Sequence, residues 1–372
     1  MPGTPLTHRA VNRATLARQH LLERTASSAL DEIAHLGGMQ AQAPLAPYVG
    51  LWTRLRGFAP AELSALYGRR QVVRVALMRG TIHLVSAEDA LAWRPLVEPV
   101  IVRGTNSAFA KHYAGLDRGA LAEAACELTE QAPRTFAELG GLLAERFPGR
   151  DPAALAQAAR AHVPLVQIPP RGLWGESGRI AHTTARSWLG RDVQQRPDLD
   201  AMIRRYLAAF GPATVMDAQA WSGLTRLREV FDRLRPTLRV GVGESGAELF
   251  DLPEAPRPDP DAPAPARFLP EYDNLLFSHA DRTRVNPEGH RIPLFPGNGA
   301  ALGYYLLDGT WAGLWRTERQ SRATPARITL TVQHFGPLAP AARAELTEEG
   351  LKLLALLAPD APSPDLRFTP AP

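Results

Sequence analysis

Cysteine, lysine and long apolar runs are what this sequence has least of. Cys126 is the single cysteine in 372 residues. One thiol excludes an intramolecular disulfide and any cysteine-built zinc site. In its Ala/Leu-rich surroundings it reads as a small core residue. No run approaches the roughly 20 apolar residues of a membrane helix, and the first residues lack the apolar core of a secretory signal. A cytoplasmic protein with no membrane partner is expected. Only Lys111 and Lys352 are lysines, so the 42 basic residues are almost all arginine. Against 38 acidic residues they leave a net charge of +4 and a pI near 9.5. Arginine's planar fork suits phosphate. This balance permits a nucleic-acid partner without requiring one, and high Arg, Ala and Pro equally fit a GC-rich genome.

Familiar catalytic signatures are missing as well. The chain has no Walker A lysine loop and no Gly-x-Ser-x-Gly elbow, and its one Gly-x-Gly-x-x-Gly run is no dinucleotide turn. Gly241-Val-Gly-Glu-Ser-Gly246 follows a strand but opens no helix, and reads as a wing tip. Asp273, Asn274, His279, Asp281 and Arg282 are dense but show neither His-Glu-x-x-His nor carboxylate-cage spacing. Neither a metal nor a cofactor is expected.

What is present is a layout of helices followed by two strands, met three times. The first pass has a helix starting near Asn12 or Thr15, and short helices at Ser28–Leu36, Leu45–Leu55 and Ala61–Tyr67. A strand over Val72–Met78, a turn at Arg79-Gly80 and a strand over Thr81–Val85 follow. The second has helices at Ala120–Gln131, Phe136–Phe147 and after Asp151-Pro152, then strands at Val163–Ile168 and Ile180–Thr184. The third runs through Leu199–Phe210, Thr214–Trp221 and Leu224–Leu234 to strands at Thr237–Val242 and Ala247–Asp251. Helices and then a two-stranded wing is the order of a winged helix. The expected fold class is α+β, with three tandem winged-helix (helix-turn-helix) modules and a C-terminal β-rich part. The expected boundaries are 1–115, 116–196 and 197–252 for the modules, 253–266 for an exposed Pro-rich connector and 267–372 for the last part. That part draws its strands from Arg291–Pro296, Ala301–Leu307, Thr310–Thr317 and Ala326–Gln333. Asp308-Gly309 is a type I′ hairpin signal, Thr347–Leu357 a closing helix, and the tail after Pro359 is read as frayed.

One short stretch has the makings of a site. Ser28 can cap a helix that Gly37 and Gly38 stop, and Pro44 biases Ala43 away from helical backbone. Gln40 and Gln42 are therefore expected in extended chain, where residues i and i+2 share a side. Two carboxamides aimed at one spot can hold a water or read a base edge. Taken alone, such a pair beside a helix end reads as a solvated loop.

Gln40-Ala41-Gln42 and Met78-Arg79-Gly80-Thr81-Ile82-His83-Leu84-Val85, with the stretch from Phe268 to Arg282, resemble the winged-helix DNA glycosylases of the AlkZ/YcaQ type. The resemblance covers most of the chain in order and spacing. That family carries a Gln-apolar-Gln or Gln-apolar-Asp catalytic motif in its first winged helix. The form here is the double-glutamine, AlkZ form, associated with azinomycin B lesions. The resemblance implies a C-shaped DNA-binding cleft, with Gln40 and Gln42 catalytic. It implies hydrolysis of the N-glycosidic bond of alkylated purines of the cationic N7-alkylguanine type, including azinomycin-like interstrand crosslinks, in DNA repair and self-resistance. The implied partner is double-stranded DNA carrying such lesions, met by a monomer at the nucleoid.

Other residues carry one or two readings each. Arg79 reads as a phosphate contact. His83 reads as a half-buried strand histidine, which the resemblance lifts to a lining residue of the lesion cleft. Asp273 and Asn274 brace the C-terminal part or face the cleft. Asp308, Gly309, Thr310 and Trp311 form a plain surface turn or a wedge entering a DNA groove. The competing function is a non-enzymatic winged-helix regulator. It calls for a recognition helix and usually a two-fold dimer, and no long exposed apolar helix suits dimerisation. The lack of metal-ligand spacing generates a prediction. Excess EDTA should leave base release unchanged, and a loss restored by one added metal would overturn the metal-free mechanism.

Overall fold

The computed structural model describes residues 5–291, 302–320, 327–360 and 364–371. Helix starts are fixed by side chains that accept the N–H groups a first turn leaves unpaired. Ser28 caps Ala29–His35, Asp117 caps Arg118–Gln131 and Asp151 caps Pro152–His162. Thr135 with Glu138, and Thr214 with Asp217, close capping boxes before Phe136–Arg146 and Val215–Ser222. Thr7 caps the first helix, His8–Arg18, which therefore begins earlier than Asn12 or Thr15.

The strands lie in three sheets among the described residues. A six-stranded sheet runs in the order Met39–Gln40, Ile82–Ser86, Val72–Ala76, Leu165–Gln167, Ala181–Thr184 and Arg134–Thr135. Its centre joins the strands of the first two passes, with Arg74 opposite Gln167 and Val75 opposite Val166. Arg239–Val242 and Glu248–Asp251 form a separate antiparallel pair. The C-terminal sheet has five strands, in the order Pro364–Pro370, Arg327–His334, Thr310–Gln320, Gly303–Leu307 and Arg267–Leu269. Helix Pro340–Leu357 packs on it through Leu346, Leu353 and Leu354. The frayed-tail reading is corrected here, since Pro364–Pro370 pairs in parallel with Arg327–His334. Of the strand expected at Arg291–Pro296, residues 292–296 lie outside the described residues.

One long helix had no counterpart in the expected layout. Ala87–Phe109 spans 23 residues with Pro95 and Pro99 inside it. Proline weakens a lone helix, but burial outweighs that here. Trp93, Val97 and Ile101 join Met202, Tyr206, Phe210 and Trp221 in the largest core cluster. Trp93 meets Trp221 edge-on, with ring centroids 6.0 Å apart.

The first helix is held by arginines rather than by an apolar stripe alone. Arg18 gives Asp251 two bonds, of 2.6 and 3.0 Å, and both side chains are buried. Arg257 reaches the same carboxylate at 2.6 Å. The chain from Pro253 to Pro265 has no helix or strand, but its carbonyls are clamped. Arg13 holds Ala262 O at 2.7 Å and Arg18 holds Pro256 O at 3.2 Å. It is tied to the first helix rather than exposed throughout. Asp251→Ala would leave Arg18 buried without its anion. It should destabilise the protein by about 3–5 kcal/mol, read as a lower denaturation midpoint in urea. A loss below about 1 kcal/mol would show that the pair is not the tie described.

Candidate functional site

Gly37 and Gly38 end the Ala29–His35 helix at φ 64° and 91°. Their N–H groups turn back to Ala34 O and Ile33 O at 3.1 and 2.9 Å. A Cβ on Gly38 would lie 2.3 Å from Val85 Cγ1, so only glycine lets the chain pass this close to the sheet. Met39–Gln40 then adds to the sheet edge, with Met39 opposite Leu84 and Gln40 opposite His83. Ala41 N continues the pairing to Ile82 O at 2.8 Å. Met39 and Ala41 enter the core with Leu36, Tyr48 and Leu51. Gln40 and Gln42 go to the other side and touch, Gln40 Nε2 donating to Gln42 Oε1 at 2.5 Å. Gln40 is 7% exposed, whereas Gln42 is open to solvent.

Arg79 closes on this pair. It sits in the Met78–Gly80 turn at φ 57°, left-handed backbone that a long side chain rarely adopts. Its Nη2 donates to Gln40 Oε1 at 2.8 Å and its Nη1 to Trp221 O at 2.6 Å. Among the described residues it pairs with no carboxylate. Burial, and then the positive charge of Arg282, bring its pKa down to about 10. It remains a cation at neutral pH.

His83 is fully buried behind Gln40. Its Nδ1 lies 3.1 Å from Thr81 O, which can only accept, so the proton sits on Nδ1. Nε2 is then a bare lone pair, buried and without a partner among the described residues. Burial, with a smaller push from Arg79, takes the ring's pKa down to about 3. The ring is neutral across the physiological range and offers no acid to a substrate. Its full burial corrects the half-buried reading and sets the ring behind Gln40 rather than at an open surface.

Asp273 and Asn274 stand behind the pair as braces. Asp273 takes both arms of buried Arg54 at 2.8 Å each and caps the Asn274–Phe277 turn. Asn274 donates to Gly38 O at 2.6 Å. With Gln40, Met39 and Pro270 the two residues line one small cavity. The hairpin at Asp308 to Trp311 belongs elsewhere. Asp308 is bound by Arg9 and Arg13, and Gly309 O accepts from Asn12 at 2.8 Å. Thr310 folds back on Leu307 O, and Trp311 is 3% exposed, with Nε1 on Gly313 O. Its tip is clamped to the first helix, which corrects the expectation of a projecting wedge.

Several neighbours escaped the motif reading. Arg160 holds Gly80 O at 2.5 Å, and Arg103 holds Gly223 O at 2.6 Å. A Cβ on Gly223 would come within 3.2 Å of Arg79 Cα. These contacts span tens of residues and leave no local signal. Glu271, within the Phe268–Arg282 stretch, carries no sequence signal of its surroundings. It is half-buried, it has no ion pair among the described residues, and burial pushes its pKa up.

Comparison with known proteins identifies the family. The family described as DNA glycosylase AlkZ-like matches residues 33–356. An interstrand DNA cross-link repair glycosylase of Streptomyces sahachiroi is 26% identical over 340 residues, covering 81% of this chain and 85% of that protein. The solved structure of Streptomyces sahachiroi DNA glycosylase AlkZ superposes with a TM-score of 0.72 at 20% identity. It covers 98% of this chain and 100% of that one, which supports the same mixed α+β fold.

The depressed histidine generates a pH prediction. Unfolded His83 titrates near 6.5 and folded His83 near 3. Below about pH 6.5 the unfolded chain therefore binds more protons, and stability falls with pH through that window. His182, with a pKa of about 4, and His279, of about 3, act in the same direction. Melting temperatures between pH 7 and 4 should fall less steeply for His83→Gln than for the parent. Equal slopes would place His83 outside the buried environment described.

Proposed function

The chain belongs to the AlkZ-like DNA glycosylases, hydrolases of N-glycosyl bonds, and from that premise we propose that it excises cationic alkylpurines of the N7-alkylguanine type. The observation that supports this reading is the Gln40–Gln42 contact beside a cation, with no carboxylate bonded to either glutamine among the described residues. N-glycosidic hydrolysis passes through an oxocarbenium-like transition state, as glycoside hydrolysis does. An unmodified purine leaves poorly and profits from a protonating acid and a carboxylate at C1′. Amides supply neither, since they donate and accept hydrogen bonds without taking a proton. They suffice where alkylation has already made the base a cation that departs neutral. In that case Gln40 and Gln42 act by orienting a water toward C1′.

The substrate range extends in this proposal to bulky azinomycin-like interstrand crosslinks, in repair and self-resistance. A base tied to the opposite strand cannot be turned fully into a closed pocket. A pair at a sheet edge, with Gln42 exposed, can meet a lesion that stays in the duplex. The tandem helix-and-wing passes are read as winged helices that hold the DNA, with the protein acting as a monomer.

Single-turnover release of N7-methylguanine tests the assignment. Gln40→Ala and Gln42→Ala should each slow release by about 10²–10³-fold, comparable to losing a preorganised donor. Because the pair acts as a unit, the double variant should be little worse than the poorer single one. Folded alanine variants with parental rates would return the pair to a structural loop.

A further inference from the structure

Hydrogen bonds have direction, and the contacts around Gln40 leave little choice of it. A guanidinium has donors and no acceptor. The Arg79 Nη2 that lies 2.8 Å from the Gln40 side chain must therefore face its carbonyl oxygen. That turns the Gln40 NH₂ toward Gln42, 2.5 Å away, where only an oxygen can receive it. The Gln42 carbonyl is thereby engaged, and the Gln42 NH₂ is left over. Reversing Gln40 would set its NH₂ against the guanidinium and its oxygen away from it. In a side chain only 7% exposed, the donor-to-donor clash with the guanidinium would be desolvated.

The first link of this chain is fixed from outside. Arg79 Nη1 donates to Trp221 O at 2.6 Å, at the end of the Val215–Ser222 helix. The Arg79 backbone is packed on Gly223, where a Cβ would come within 3.2 Å of Arg79 Cα, and is held at φ 57°. Arg160 grips the same turn through Gly80 O. An arginine tied at backbone and at one arm has little freedom to release the other arm to solvent. We infer that Arg79 is the positioning residue of the pair, setting a one-way chain from Arg79 through Gln40 to Gln42 that presents the Gln42 NH₂ to the substrate.

The inference rests on the pair being the excision site, and it deepens that reading. The free end of the chain is a donor, so it meets a lone pair. The chemistry that fits is an oxygen of the lesion nucleotide, on its phosphate, its sugar or the alkylated base. The second lone pair of Gln42 Oε1 remains for a water hydrogen. The exposed glutamine can thus hold the nucleotide and the water at once, provided that Gln40 keeps it in one orientation.

Arg79→Met removes the donor at similar length, and Arg79→Lys restores one donor. The first readout needs no activity: hydrogen exchange of the side-chain amides of Gln40 and Gln42, followed by NMR. In the parent the Gln40 NH₂ should exchange slowly and the Gln42 NH₂ fast. In Arg79→Met, Gln40 should exchange about as fast as Gln42. The second readout separates rate from binding. Arg79→Met should lower single-turnover release at saturating enzyme by about 10–100-fold, with Kd for lesion-free duplex changed less than about threefold. Arg79→Lys should recover part of the rate, and melting curves of both variants control for folding. Combining Arg79→Met with Gln40→Ala should add little to the worse single loss.

A raised Kd with a parental saturating rate would make Arg79 a phosphate contact and overturn the inference. So would additive losses, or an unprotected Gln40 amide in the parent. If Gln40→Ala itself kept the parental rate, the excision reading would fall, and amide exchange alone would then decide whether the chain exists.

Discussion

Behind the two glutamines, one buried guanidinium is the joint on which the arrangement turns. Arg54 gives both arms to Asp273, adds Gly50 O at 3.0 Å and reaches Gln19 Oε1 at 3.1 Å. Gln19 in turn donates to Ala209 O at 2.6 Å. The first helix, the Ala46–Trp52 helix, the Leu199–Phe210 helix and the turn after Arg267–Leu269 are thus tied to one group. A buried ion pair adds little net stability over a well-packed apolar substitute, but it admits few alternative geometries. Its contribution here is register. With Asp273 fixed, Asn274 falls against Gly38 O, one residue before the edge strand that carries Gln40.

That edge strand is only two residues long, too short to hold position by its own ladder. Its place comes from three supports: the close glycine passage against Val85, the Asn274 bond and the packing of Met39 and Ala41. The outward side is then free for polar groups. A neutral imidazole backs Gln40, and a cation without a carboxylate faces it. The resulting field favours anions such as phosphate and leaves the amides uncharged.

Much of this was legible in the chain, and the rest was hidden for physical reasons. Gly37-Gly38 and Pro44 bracket an extended segment because their backbone preferences are local, so the shared side of Gln40 and Gln42 could be read directly. The cap at Ser28 was visible for the same reason. The Ala87–Phe109 helix was missed because Pro95 and Pro99 interrupt its local propensity, whereas its stability comes from burial of Trp93, Val97 and Ile101. The strand Pro364–Pro370 was read as a loose tail because its supports, a parallel ladder with Arg327–His334 and the packing of Leu366 and Phe368, are not local in sequence. Asp308-Gly309 was rightly a hairpin turn, with φ of 42° and 75°. What covers a turn, here Asn12, Arg13 and Leu16, cannot be read from the turn itself.

Arginine content shows most clearly how a composition can mislead about a partner. An abundance of arginine suggests a surface made for phosphate, but many of these side chains are committed internally. Arg13, Arg18, Arg54, Arg74 and Arg94 are among the largest fully buried side chains. On the surface, Arg146 pairs with Glu127, Arg191 with Glu88 and Arg233 with Asp200. With charge so largely cancelled, long-range attraction to DNA is modest, and counterion release has to come from arginines without an acid. Arg226 and Arg239 are exposed and have no side-chain partner among the described residues. Arg103, also exposed, holds only a carbonyl. Arg103 and Arg226 flank the Gly223 turn packed on Arg79. Uncancelled charge near the glutamine pair thus includes Arg103 at this turn and Arg282, whose charge reaches Arg79. Contact with a DNA backbone there would press on the Arg79 tether rather than on an unrelated face.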